Sequence, residues 1–124
     1  MGSFFSSTKK RENIDMALAK AKQIVSSNPV VVFSKTYCGY CQRVKQLLSQ
    51  LQATYKVIEL DEENDGSEIQ TALTEWTGQR TVPNVFISGK HIGGSDDVAA
   101  LHQQGKLVPM LAEAGAIAKH STQL

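Results

Sequence analysis

The sequence predicts an α/β domain in which a four-stranded mixed sheet is covered by helices on both faces. Its first half has the order strand, helix, strand, which implies a right-handed parallel pair. Its second half contains a hairpin, which adds an antiparallel pair to the same sheet. With 124 residues and a hydrophobic content of 41%, the chain is long enough to form one core. No internal repeat and no long linker indicates a second domain.

The amino-terminal segment, residues 1–11, is expected to be a flexible leader because it is small and polar apart from two phenylalanines. An amphipathic helix follows, since apolar residues recur at a period of 3.6, at Ile14, Leu18, Ala21 and Val25. Asn28-Pro29 ends this helix. The apolar run over residues 30–34 is typical of a central strand that is covered on both faces.

A second helix begins near Cys38, and its core face is marked by apolar residues spaced i, i+3, i+4 and i+7, namely Val44, Leu47, Leu48 and Leu51. Residues 55–60 are predicted to form the second strand, and the acidic residues 61–65 a solvated turn. A third helix carries Ile69, Leu73 and Trp76 on one face, with Gly78 as its C-cap.

The hairpin is predicted over residues 84–92, with Gly89-Lys90 as its turn and His91-Ile92 as a short strand. Ser95 is expected to cap a fourth helix, whose first turn holds acidic residues. After a break at Gly105, a last helix carries Leu107, Met110, Leu111 and Ala114. The folded domain is therefore expected over residues 12–119, with a tail at residues 120–124.

Composition excludes several classes of protein. The 13 basic and 12 acidic residues give a net charge of +1, which argues against a nucleic-acid-binding protein. The longest strictly apolar run covers residues 30–33 and is too short to span a membrane. Two cysteines are too few for a secreted fold held together by disulfides, and no secretory signal precedes them.

The two cysteines, in Cys38-Gly39-Tyr40-Cys41, follow a predicted strand and begin a predicted helix. The unpaired N–H groups at a helix start stabilise a thiolate at Cys38, and Lys35 adds to that field. Residues i and i+3 share a helix face with Cβ atoms about 5–6 Å apart, which is close enough for a disulfide after a small rearrangement. Cys38 is therefore predicted to be the exposed nucleophile, and the more buried Cys41 at most its resolving partner.

Three other interpretations of the cysteine pair compete with the redox one. A structural disulfide would close a very small loop and remove little entropy from the unfolded chain. A structural zinc site needs four ligands, and His91, His102 and His120 do not have the spacing of a zinc finger. Two unrelated buried cysteines are the third alternative. A Cys-x-x-Cys motif between a strand and a helix favours redox chemistry.

Three motifs together resemble those of a glutaredoxin: residues 35–41 (Lys-Thr-Tyr-Cys-Gly-Tyr-Cys), Thr81-Val82-Pro83, and residues 93–97 (Gly-Gly-Ser-Asp-Asp). The Cys-Gly-Tyr-Cys form is similar to that of a plant-type branch of the dithiol class I, and Cys41 excludes the monothiol class. The resemblance implies a thioredoxin-like fold over residues 12–119. It also implies a glutathione-dependent thiol–disulfide oxidoreductase that reduces protein–glutathione mixed disulfides and low-molecular-weight disulfides.

The resemblance further implies a glutathione site. A cis peptide bond before Pro83 would turn the Val82 backbone toward the ligand's cysteinyl residue, as an added strand. The glutamyl end would lie at the start of the fourth helix, although a capping box explains Ser95 and the acidic residues equally well. Besides Cys38 and Cys41, the implied site residues are Lys35, Tyr40, Gln70, Arg80, Thr81, Val82, Pro83, Gly94, Ser95, Asp96 and Asp97.

A second hypothesis is a [2Fe-2S] carrier or redox sensor. Similar glutaredoxins bridge a cluster between two subunits, each of which would supply its first cysteine, here Cys38, while two glutathiones complete the four thiolates. The expected partners are glutathione and glutathionylated proteins, with a monomeric apo enzyme and a cluster-bound homodimer. The location is expected to be cytoplasmic, or at a membrane if Gly2, which fits a short myristoylation pattern, carries a lipid.

Overall fold

Four strands form one sheet within residues 2–118, the part of the chain that the computed structural model describes: β1 (Val30–Ser34), β2 (Lys56–Glu59), β3 (Asn84–Ile87) and β4 (Lys90–Gly93). Their order in the sheet is β2-β1-β3-β4. β1 is parallel to β2 and antiparallel to β3, which in turn is antiparallel to β4. The predicted mixed sheet is therefore confirmed.

Five α-helices of the described residues pack on this sheet: α1 (Gly2–Ser27), α2 (Gly39–Gln50), α3 (Gly66–Thr77), α4 (Ser95–Gln103) and α5 (Leu107–Glu113). Alternate residues of β1 point to opposite faces. Val31 and Phe33 pack with the buried residues of α1 and α3, while Val30 and Val32 pack with those of α2, α4 and α5. Helices therefore cover both faces, as predicted. Among the described residues, no helix is long and apolar enough to cross a membrane.

The first helix begins earlier than the sequence predicted, because it runs from Gly2 through the segment expected to be a flexible leader. No proline interrupts the chain before Asn28-Pro29, so the helix continues back from its buried face. Arg11 already contacts the domain, since its guanidinium donates to the Glu75 carboxylate at 2.8 and 3.0 Å. The domain start at residue 12 stays a prediction, and the predicted tail, residues 120–124, lies outside the described residues.

The strand register brings three loops to one end of the sheet. Phe33, near the end of β1, pairs with Asn84 at the start of β3, and Val85 pairs with Gly93 at the end of β4. The segments that follow β1, precede β3 and follow β4 must therefore meet. They carry the cysteine pair, Pro83 and the start of α4. The N-cap of α4 is Gly94, one residue before the predicted Ser95.

Gly66, the first residue of α3, lies directly against the 3-10 turn Leu60–Glu62. A Cβ atom at Gly66 would overlap the carbonyl oxygen of Leu60 and lie 2.8 Å from the carbonyl carbon. Since backbone cannot move aside as a flexible side chain can, Gly66→Ala is expected to lower the free energy of unfolding by about 1–3 kcal/mol. Denaturant titration measures this difference. Gly39→Ala is the matched control, because nothing lies within 4 Å of a Cβ at the first residue of α2. Equal midpoints for the two variants would contradict the prediction.

Candidate active site

Cys38 is the N-cap of α2, and its backbone is extended at φ −97° and ψ 118°. Its Sγ accepts a hydrogen bond from the Cys41 backbone N–H at 3.1 Å. This N–H belongs to the first turn, where amides lack an intrahelical acceptor and carry partial positive charge. The arrangement supplies a donor to the sulfur, which stabilises negative charge there. Cys38 is half-buried, so its sulfur is accessible at the end of the sheet.

Cys41 differs from Cys38 in its environment. It is fully buried beneath the first turn of α2. Burial, together with the neighbouring Cys38, raises the pKa of the Cys41 thiol to about 11. The two cysteines are therefore unequal, as the sequence predicted.

The segment Thr81-Val82-Pro83 faces the Cys38 thiol, and the peptide bond between Val82 and Pro83 is cis. The Cys38 thiol donates weakly to the Val82 carbonyl at a sulfur–oxygen distance of 3.8 Å. Within the described part of the chain, the Val82 N–H has no hydrogen-bond acceptor. An unpaired backbone segment beside a reactive sulfur can accept an extended ligand as an additional strand.

The side chain of Gln79 holds this segment by hydrogen bonds, a role that the sequence did not predict. Its Nε2 donates to the carbonyl oxygens of Thr81 at 3.0 Å and of Pro83 at 2.9 Å. The only sequence signal is its position, between the C-cap Gly78 and the Thr81-Val82-Pro83 motif. A polar residue after a helix is usually a solvated loop residue, so the pattern alone did not distinguish it.

The Asp61 carboxylate holds a second loop by hydrogen bonds. The sequence did not predict this role, because the acidic residues 61–65 are expected to form only a solvated turn. Its carboxylate accepts from the Thr36 N–H at 3.0 Å and also from the Thr36 hydroxyl. These bonds lower the pKa of Asp61, so the carboxylate stays charged at neutral pH. Asp61 thereby ties the loop that carries Cys38 to the end of β2.

The start of α4 forms the opposite side of the site. The Asp97 carboxylate accepts from the Gly94 N–H at 2.9 Å, which gives Asp97 the helix-capping role that the sequence left open. The first helical bond runs from Val98 N–H to Gly94 C=O. Because a helix start leaves its first amides unpaired, the N–H groups of Ser95 and Asp96 have no intrahelical acceptor.

The two adjacent glycines, Gly93 and Gly94, differ in whether the fold requires glycine at their position. Gly93 has a φ of +126°, and a Cβ there would overlap the Asp97 carboxylate, so the fold itself requires glycine. Gly94 is extended, and its Cβ would make ordinary contacts at 3.6 Å to Pro83 and 3.8 Å to Gln79. The fold therefore does not require glycine at position 94.

The remaining predicted residues differ in their contacts. Gln70 and Arg80 come together, since the Gln70 Nε2 donates to the Arg80 carbonyl at 3.0 Å and both side chains line one groove beside α3. Lys35 is half-buried and close enough to Asp61 to help lower the pKa of the Asp61 carboxyl.

Tyr40 is 58% exposed, and its ring lies 5.2 Å from the guanidinium of Arg43. Trp76 stacks on Phe86 in the core, as expected, and takes no part in the site.

A thiol at a helix start, a buried second thiol and a facing cis-proline define a thiol–disulfide oxidoreductase of thioredoxin-like fold. The family model described as Glutaredoxin matches residues 30–92, half of the chain. The chain therefore belongs to the glutaredoxin family, which confirms the resemblance and makes it a glutathione-dependent oxidoreductase.

Individual relatives agree with this assignment. Glutaredoxin-C1 of Arabidopsis thaliana is 67% identical over 125 aligned positions, which cover all of both chains. A glutaredoxin of Solanum lycopersicum is 72% identical over 86% of this chain and 99% of its own. The crystal structure of a buckwheat glutaredoxin–glutathione complex, 69% identical, has a TM-score of 0.86 and covers 86% of this chain and 97% of that one.

The raised pKa of Cys41 predicts unequal alkylation of the two thiols. With a pKa of about 11, on the order of one Cys41 thiol in a few thousand is ionised at pH 7.5. A Cys38→Ser variant removes the contribution of Cys38 to this pKa but keeps the burial, which is its largest cause, so iodoacetamide is expected to leave Cys41 largely unmodified at pH 7.5, with a rate that rises about tenfold per pH unit below the pKa. In a Cys41→Ser variant, Cys38 reacts readily. Mass spectrometry of both variants over a pH series measures this, and equal reactivity at pH 7.5 would refute the difference.

Proposed function

We propose that this glutaredoxin reduces protein–glutathione mixed disulfides and low-molecular-weight disulfides, and that Cys38 carries the chemistry. The observation that carries the proposal is the accessible Cys38 sulfur, which accepts a helix-start N–H and lies beside the unpaired Val82 backbone. In the first step the Cys38 thiolate attacks the glutathione sulfur of the mixed disulfide. The old S–S bond breaks, the substrate thiolate leaves and takes a proton from solvent, and glutathione remains bonded to Cys38.

The Val82 backbone supports the glutathione specificity of this step. A glutathione bonded to Cys38 must extend past Val82, because the Cys38 sulfur is 3.8 Å from the Val82 oxygen. The Val82 N–H and C=O can then pair with the ligand's cysteinyl backbone. The same attack without the tripeptide would lose these bonds, so mixed disulfides that contain glutathione are favoured.

The two ends of glutathione have chemically suitable neighbours. The glycyl carboxylate fits the donors Lys35, Gln70 and Arg80, since two of them are cations and the bond to the Arg80 carbonyl uses only one N–H of the Gln70 amide. The glutamyl carboxylate fits the free N–H groups of Ser95 and Asp96, and the Asp96 carboxylate fits the glutamyl ammonium. Asp97 acts through Gly94, whose N–H it holds. Tyr40 and Thr81 complete the sides of the groove. A buckwheat relative, 69% identical to this chain, has been solved as a complex with glutathione, which supports the proposal that this chain binds glutathione.

Regeneration of Cys38 consumes a second glutathione, whose thiolate attacks the sulfur of the bound one. Glutathione disulfide leaves, and Cys38 returns as a thiolate. The alternative is attack by Cys41, which releases glutathione and leaves an internal disulfide. Since burial raises the Cys41 pKa to about 11, this second path requires a proton to leave a buried thiol.

The [2Fe-2S] hypothesis is less favoured than the oxidoreductase, because the relatives described above are named as glutaredoxins and one is a complex with glutathione. A relative from Populus tremula x tremuloides, 65% identical with a TM-score of 0.79, has been solved in a form described as holo. In residues 2–118 no group of three or more His, Cys, Asp or Glu side chains could hold a metal ion. Of the two thiols, Cys38 alone is accessible enough to be a ligand, so a [2Fe-2S] cluster would take one protein thiolate from each subunit of a homodimer and the rest from glutathione. The monomeric oxidoreductase needs no second subunit.

Location and partners follow from the same chemistry. Glutathionylated proteins are the proposed substrates, and the cytoplasm is the proposed location, because free thiols at positions 38 and 41 suit a reducing compartment. Myristoylation at Gly2 would add a membrane location; the side chains of residues 1–7 are outside the described part of the chain. One relative from Oryza sativa subsp. japonica is named as chloroplastic.

Two cysteine variants test the proposed chemistry. Cys38→Ser is expected to lose deglutathionylation of a glutathionylated peptide by at least about a thousandfold, because serine supplies no thiolate. Cys41→Ser is expected to keep activity within a few-fold, because the second glutathione regenerates Cys38 without it. Release of the free peptide thiol measures both rates. An active Cys38→Ser protein would overturn the assignment of the nucleophile.

Gly94→Ala tests whether glutathione passes the start of α4. The added Cβ makes only ordinary contacts within the protein, so the melting temperature is expected to stay nearly unchanged. If the ligand packs against the backbone here, the methyl group occupies its space and kcat/KM for a glutathionylated peptide falls about tenfold or more. Unchanged kcat/KM in a stable Gly94→Ala protein would remove α4 from the glutathione site.

A further inference from the structure

We propose that Gln79 is a positioning residue that holds both sides of the glutathione groove at their correct separation. The two sides are the cis-proline loop, residues 81–83, and the start of α4 at Gly94. The inference rests on the proposed glutathione site and adds to it a residue that acts through the backbone of the loop and not on the reacting sulfur. Its evidence is the set of contacts made by one side-chain amide.

Both hydrogens of the Gln79 amide have acceptors. Nε2 donates to the Thr81 carbonyl at 3.0 Å and to the Pro83 carbonyl at 2.9 Å. These two carbonyls flank Val82, so the amide turns the groups before and after Val82 toward itself. Because the neighbours of Val82 are occupied in this way, the Val82 N–H and C=O remain directed to the Cys38 side. Gln79 thus selects which backbone groups of the loop are available to a ligand.

Gln79 is itself anchored to α3 through its backbone N–H. The Gln79 N–H donates to the Thr77 hydroxyl oxygen at 3.0 Å, and that hydroxyl donates to the Leu73 carbonyl at 2.8 Å. Gly78 between them is left-handed at a φ of +80°, which turns the chain so that Gln79 points back under the loop. The side chain is half-buried, which limits its rotamers. An irregular loop is therefore held through Gln79 by a helix whose face is in the core.

The same amide lies close to the second side of the groove. A Cβ at Gly94 would lie 3.8 Å from the Gln79 Nε2 and 3.6 Å from the Pro83 oxygen that Gln79 holds. The start of α4 therefore lies beside the Gln79–Pro83 hydrogen bond. Because the amide bonds the loop next to Gly94, loss of its two bonds would release the loop and change the distance between Val82 and Gly94. Cys38 is held separately, by the hydrogen bond from the Cys41 N–H and by the hydrogen bond between Thr36 and Asp61.

Substitutions at position 79 separate hydrogen bonding from packing. Gln79→Glu keeps the shape but faces two carbonyl oxygens with a carboxylate, which repels them and donates nothing. Gln79→Met keeps the length and removes both donors. The inference predicts loss of glutathione recognition in both variants, with the greater loss in Gln79→Glu, while the reactivity of Cys38 toward a small reagent stays unchanged.

The experiment measures second-order rates for reduced protein with two forms of one peptide. The first form carries glutathione in a mixed disulfide, and the second carries mercaptoethanol, which lacks the tripeptide. For the glutathione form, the rate is expected to fall about tenfold in Gln79→Met and further in Gln79→Glu. For the mercaptoethanol form, and for alkylation of Cys38 by iodoacetamide, the rates are expected to stay within twofold. Gln23→Glu and Gln23→Met, at an exposed position of α1, are the matched controls.

The outcomes distinguish this inference from the proposed function. If the unaltered protein shows no preference for the glutathione form, the proposed function fails. If it shows the preference and both folded variants at position 79 retain it, the role of Gln79 is overturned. If the variants lose both peptide forms and alkylation equally, Gln79 is only structural, which also overturns the inference. Selective loss of the glutathione form, absent in the Gln23 controls, supports it.

Discussion

The hydrogen bond from the Cys41 N–H to the Cys38 sulfur is the interaction on which the site depends, because it joins the reactive atom to the start of a helix. That helix start has a fixed place. α2 follows β1, and β1 lies inside the sheet with a neighbour on each side. The register then brings the start of β3 and the end of β4 to the same end of the sheet. The core thus determines where the sulfur lies, and the start of α2 supplies its hydrogen-bond donor.

The loops around the sulfur share one structural device. Asp61 holds the loop before Cys38, Asp97 holds the start of α4, and Gln79 holds the loop before β3. In each case a side chain bonds backbone groups that belong to no strand or helix. Loop backbone needs such partners, because its N–H and C=O groups are otherwise satisfied only by water. The arrangement gives three irregular segments fixed positions while it leaves the Val82 backbone unpaired.

The sequence predicted the strands, the helices and the inequality of the cysteines, because apolar period and helix-start chemistry are local properties. It also placed Gly78 correctly at a left-handed C-cap. It did not predict the helix before residue 12, since that segment has no apolar period and its helix depends on continuity with the buried turns that follow. The Asp61–Thr36 contact joins residues 25 positions apart, which no local pattern encodes. Gln79 bonds nearby residues, but its direction depends on the left-handed turn at Gly78, which is set by the end of α3.

Because Cys41 is buried, the two proposed routes that regenerate Cys38, attack by a second glutathione and attack by Cys41, compete through their rates. Once glutathione is bonded to Cys38, the neighbouring thiol has the advantage of proximity, but burial keeps it protonated at neutral pH. A dissolved glutathione thiol has no such advantage, yet a much larger fraction of it is ionised. The outcome then varies with acidity and with glutathione supply. In the proposed mechanism, an ample supply of glutathione favours direct regeneration of Cys38, whereas glutathione depletion or alkaline conditions favour the internal disulfide, which would record the redox history of the compartment in the protein itself.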